Sequence, residues 1–142
     1  MDKELPGTPN AIAWAQLVKG NRRIRLALSF GGSFTGGEIV RLAEGATVSL
    51  EGAGKAASQY GFATWNCGMI SGAHFAFRTL HLPRREVRIH ECSGRLGASD
   101  MEAIAYASAM AVSKLANHEM AGLEGWEWSA GIQSGGSPLE TA

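Results

Sequence analysis

The sequence predicts an α+β domain, a two-layer sandwich in which one largely antiparallel sheet carries its helices on one face. Three observations carry this expectation. Residues 21–30 alternate apolar and polar positions, residues 73–92 read as a pair of strands, and Ser99-Asp100-Met101-Glu102 opens an alanine-rich segment with apolar residues at helical spacing. At 142 residues the chain has the length of one domain. It buries roughly 68% of the surface its unfolded form exposes, enough for a core without disulfides or structural zinc. The expected division is a flexible arm over 1–10, a single α+β domain over 11–132 and a flexible tail over 133–142.

The arm carries Pro6, Gly7 and Pro9 and no periodic pattern. Ala11 to Lys19 is rich in alanine and is followed by Gly20, which predicts a short helix with Trp14, Leu17 and Val18 on its buried stripe. Asn21 to Phe30 predicts a half-buried strand, with Ile24, Leu26, Leu28 and Phe30 on one side and Arg23, Arg25, Ala27 and Ser29 on the other. Between Gly31 and Gly72, ten of 42 positions are glycine, so turns and close backbone approaches are expected there. Strand pieces at Thr47–Leu50 and Phe62–Trp65, and a helical turn or two over Glu38–Glu44, fit between them.

Ala73–Leu82 and Arg85–Cys92 are expected to form a hairpin around Pro83-Arg84. The register that keeps one face apolar groups Phe75 and Phe77 with Val87 and Ile89. The opposite face then gathers His74, Arg78, Arg88, His90 and Cys92. The capping box at Ser99 starts a helix with Met101, Ile104, Ala105, Ala111, Val112 and Leu115 on its packed face, ended near Asn117-His118. Trp126 and Trp128 follow, either as a strand that lids the domain or as a contact with a neighbouring subunit.

Lys+Arg and Asp+Glu are equal at 13 each, yet residues 1–98 carry a balance of +5 and residues 99–142 a balance of −5. The two parts attract, and copies of the chain are expected to associate into a homo-oligomer. No apolar run reaches the ~20 residues a membrane span needs. The amino terminus does not resemble a secretory signal, and Cys67 and Cys92 form no CxxC, so a soluble cytoplasmic protein with reduced thiols is expected. No zinc signature and no cofactor motif is present, so neither a metal nor a cofactor is expected. Gly52-Ala53-Gly54-Lys55-Ala56 lacks the hydroxyl that a Walker loop places after its lysine, and a surface turn explains it.

Two regions concentrate candidate chemistry. Tyr60 to His74 brings together aromatic, carboxamide, thiol, hydroxyl and imidazole groups beside glycines. Tyr60, Trp65 and Asn66 are candidate ligand contacts there, and Cys67 a candidate nucleophile with His74 drawing its proton. A glycine-lined bend that sends its apolar residues into the core accounts for the same stretch. The second region is the arginine set Arg22, Arg23, Arg25, Arg78, Arg84, Arg85, Arg88 and Arg95, which suits carboxylate or phosphate recognition. Arg78, Arg88 and His90 are its candidate ligand contacts. Glu91, expected to face Val87 and Ile89, is a candidate acid or base because apolar surroundings raise a carboxyl pKa.

These features favour a small oligomeric domain that binds a small-molecule or anionic ligand, or a protein partner, through a basic sheet face. The alternative is a metal-independent enzyme on a small metabolite, using the Tyr60–His74 segment and Glu91. A nucleic-acid-binding domain is the least favoured reading, since no aromatic residues interleave with the arginines.

Overall fold

A computed structural model describes residues 11–33, 39–52, 63–83, 85–97, 100 and 102–133. The expected arm, Tyr60, the Gly52–Ser58 turn beyond Gly52, Ser99 and the chain after Gln133 lie outside the described residues. Five strands, β1 (Ile12–Lys19), β2 (Arg22–Ser33), β3 (Val40–Gly52), β4 (Arg85–Leu96) and β5 (Glu127–Gln133), form one sheet in the order β3-β4-β2-β1-β5. Every neighbouring pair is antiparallel except β3 and β4, which run parallel, so the sheet is mixed. Helices α1 (Ala63–Thr79) and α2 (Glu102–Leu115) pack against it through a shared core, completing the α+β two-layer sandwich.

Residues 11–19 form β1 rather than the expected helix. Ala11, Ala13, Ala15 and Leu17 are buried, while the intervening Ile12, Trp14, Gln16 and Val18 lie half-buried on the other face. That is a period of two, and pairing on both sides, with β2 and β5, overrides the helical preference of alanine. Gly20 (φ +65°) then makes the tight turn that sets Lys19 opposite Arg22.

Three further segments depart from expectation. Val40 onward is the extended chain of β3, not helical turns, and Ala63 onward is helix, not strand. Most consequential, Ala73–Thr79 continues α1, so the expected hairpin with β4 does not exist. Met69, Ala73, Ala76 and Phe77 are buried at helical spacing, whereas Phe75 projects outward. The helix ends at His81 (φ +56°), with the Leu82 amide donating to the Phe77 carbonyl at 2.9 Å and the His81 amide to Arg78 at 3.3 Å. This is a Schellman closure with histidine where glycine is usual. The end of α2 repeats it at Asn117 (φ +62°), where His118 donates to Ser113 at 2.8 Å, placing the stop where the sequence suggested.

The helices meet over small residues. A Cβ at Gly72 would overlap the Ala105 carbonyl oxygen, one at Gly68 would come within 3.0 Å of Ile104 Cγ2, and the Ser108 hydroxyl donates to the Met69 carbonyl at 2.8 Å. Between the helices and the sheet Leu17, Ile24, Leu26, Leu28, Ile89 and, on α2 itself, Val112 are fully buried, each contributing about 1.5–3 kcal/mol of hydrophobic stabilisation. Because the Ala105 obstruction is backbone, Gly72→Ala should lower unfolding free energy by about 1–3 kcal/mol, measured by denaturant titration. An unchanged midpoint would show that the helices are not in this close contact.

Candidate functional site

The sheet face away from the helices carries the polar residues of β1, β2 and β4, and a bulge in β4 decides which ones. Ala27 pairs with Glu91 but Leu28 pairs with Ile89, so His90 is an extra residue in the ladder. Before the bulge Val87 and Ile89 enter the core; after it Cys92, Gly94 and Leu96 do. His90 and Glu91 both turn to the outer face. Glu91 therefore does not stand among apolar neighbours as strict alternation predicts. It accepts from Arg25 Nε at 3.3 Å and from the Ser93 hydroxyl at 2.9 Å.

Around Arg25 the outer face is fully engaged. The guanidinium lies 4.7 Å from the centroid of the Trp14 ring and also donates to Gln16 Oε1 at 3.4 Å. Trp14 rests on Gly131, where a Cβ would come within 3.0 Å of the indole. Cation, carboxylate and ring satisfy one another, so this cluster is a brace across the sheet.

The other end of the face is open among the described residues. A cleft of about 690 Å³ is lined by Ile12, Ser29, Phe30, Arg41, Leu42, Ala43, Glu44, Glu86, Arg88 and His90. Glu86 bridges two arginines there, its Oε2 taking Arg41 Nε at 2.8 Å and its Oε1 taking Arg88 Nε at 2.8 Å. Gly31 leaves room for the bridge, since a Cβ there would overlap Glu86 Oε1. The terminal nitrogens of both arginines have no partner among the described residues. Ser29 and His90 Nε2 share a hydrogen bond of 2.7 Å, its direction set by the imidazole tautomer. Loss of hydration, and secondarily the Arg88 guanidinium, hold His90 below its ordinary 6.5, so the ring is neutral at pH 7.

The structure thus brings Arg88 and His90 together and adds Ser29, Arg41 and Glu86. Arg41 lies in a stretch whose sequence predicts helical turns, and β3 instead carries it to the cleft. The remaining candidates are elsewhere. Arg78 is exposed on α1, beside a smaller cavity of about 360 Å³ between the helices. Trp65, Asn66 and Cys67 lie in the first turns of α1, and His74 follows Cys67 by seven residues on the same helix. That spacing is about two turns, ~10 Å along the axis. Cys92 is a core residue rather than a member of the polar face, and burial, with Glu91 beside it, pushes its thiol up to about 12. Among the described residues no group of three His, Cys, Asp or Glu could hold a metal ion, and no helix is long and apolar enough to cross a membrane.

No family model, curated protein or solved structure matches this chain.

Two outcomes follow from the titrating groups. The unfolded chain protonates His90 at higher pH than the folded one, so the stability supplied by the neutral ring is complete above 6.5 and is lost as pH falls through the lowered folded value. His90→Gln should narrow the difference between thermal melts recorded above and below that pH; an unchanged difference would place the acid sensitivity elsewhere. Cys92, with almost no thiolate at neutral pH, should resist a thiol reagent in a folded Cys67→Ser variant and react only on unfolding. Rapid modification of the native protein would contradict its burial.

Proposed function

We propose that this chain is a small oligomeric domain that binds a small anionic molecule through the basic outer face of its sheet, in the cleft between Arg41 and Arg88. The Glu86 bridge is the observation that carries the reading. By occupying one Nε of each arginine, it orients both guanidinium groups and leaves their outer nitrogens for a ligand. A carboxylate or phosphate accepts paired hydrogen bonds from such groups. Ile12, Leu42 and Ala43 supply an apolar wall for the body of the ligand, with Ser29 and His90 as hydroxyl and imidazole contacts. Glu44 also lines the cleft, so selectivity rests on guanidinium geometry rather than on a large positive field. The pairing of Arg25, Arg41, Arg88 and Arg95 with carboxylates weighs against a continuous nucleic-acid track.

Native mass spectrometry of the purified protein tests for a retained small molecule. NMR titration with inorganic phosphate and with citrate then tests the cleft directly. Shifts are expected at Ser29, Arg88 and His90, and the Arg41→Ala/Arg88→Ala double variant should weaken binding by roughly tenfold or more. Arg95→Ala, whose guanidinium pairs with Glu51 away from the cleft, should bind as the parent does. Binding that survives the double substitution would overturn the assignment.

A further inference from the structure

The geometry points to a second copy of this chain on the edge of β5 that carries no strand among the described residues, joined by antiparallel pairing of β5 with its counterpart about Ala130. This deepens the oligomeric part of the reading above and rests on it. Among the described residues the sheet has two edge strands, and they differ in how they resist pairing. β3 is interrupted between Leu42 and Thr47, turns through a left-handed Gly45 (φ +80°), and carries Arg41, Glu44 and Glu51. Bulges and charges of this kind block edge-to-edge association. β5 has neither. Its pairing with β1 runs unbroken from Ile12↔Gln133 to Val18↔Glu127, its one charged residue is the first, and it contains no proline or lysine.

β5 also carries two exposed large apolar side chains, Trp128 (45% exposed) and Ile132 (40% exposed). Four residues apart on a strand, they share a face, and Ala130 lies midway between them. A two-fold axis through Ala130 therefore sets Trp128 of each copy opposite Ile132 of the other. Glu127 falls opposite Gln133, so no like charges meet. This register pairs all seven residues of the strand with their counterparts about one axis, as a two-fold interface requires. The paired residues share the face of Ala13 and Leu17, so the new contact continues the core layer across the seam. Trp128 is already braced on its inner side by Gly122, where a Cβ would come within 2.5 Å of the ring.

Sedimentation velocity from micromolar to near-millimolar concentration should show a species of twice the 15.0 kDa chain mass. Trp128→Lys and Ile132→Lys should each raise the dissociation constant by roughly tenfold or more, with far-ultraviolet circular dichroism retained. In a Cys67→Ser background, Ala130→Cys should form a covalent dimer on mild oxidation. Trp128→Cys should not, since its counterpart lies ~14 Å away along the seam. A dimer that Ala130→Cys fails to cross-link overturns the β5 assignment while leaving an oligomer in place. A monomer throughout overturns both the assignment and the oligomeric reading, and the anion titration stands as a separate measurement.

Discussion

The extra residue at His90 is the constraint on which both faces of the sheet depend. Without it, strict alternation from Val87 and Ile89 would drive Glu91, Ser93 and Arg95 into the core and lift Cys92 and Leu96 out of it. Burying an unpaired carboxylate or guanidinium costs several kcal/mol, far more than one disrupted ladder position. The bulge resolves the conflict by shifting the phase of the strand. It also sets His90 and Glu91 side by side on the outer face, one toward Ser29 and the cleft, the other toward Arg25 and the brace.

The two layers are matched by different means. On the inner side, alanines on alternate positions of β1 and on α2 let the helix lie close to the sheet, and Gly68 and Gly72 let α1 lie close to α2. At Gly68 and Gly72 the contact leaves no room for a further carbon atom. On the outer side the contacts are polar and partly solvated, and each exposed ion pair contributes little on its own. Rigidity there comes from sharing: Glu91 serves Arg25 and Ser93, and Glu86 serves Arg41 and Arg88. At the opposite end of the sheet Arg22 does the same work, pairing with Asp100 at 2.9 Å and lying 5.8 Å from the Trp126 ring centroid. That pair joins the basic and acidic parts of the chain.

The layer architecture, β2, the start of β4 and α2 were legible in the sequence because each carries a pattern with one period. β1 was not, because Ala11, Ala13 and Ala15 pack as core residues in a strand while their composition favours a helix. The aromatic alternation of Phe75 and Phe77 hid α1, whose true period appears only when Met69, Ala73 and Ala76 are taken together. His81 concealed its end, since a left-handed histidine does not announce a helix stop as glycine does. For the site, Arg88 and His90 were readable from β4, but Arg41 and Ser29 join them through β3 and β2, and the parallel β3–β4 pairing is a long-range fact. The bulge did leave a trace: apolar positions in β4 are odd-numbered through Ile89 and even-numbered from Cys92. A phase slip of that kind is the mark of one inserted residue.

The position of β4 sets the order in which the sheet can assemble. β1 and β2 are joined by a tight turn and can pair as soon as both exist. β3 follows β2 in the chain but has no partner in the described sheet until β4 arrives from the far side of α1 and inserts between them. During synthesis an entire edge therefore waits, with its apolar residues and open backbone, for a strand made more than thirty residues later. Non-local closure of this kind is the slow part of folding. The phase-shifted strand that organises the finished protein is thus also the gate through which folding must pass.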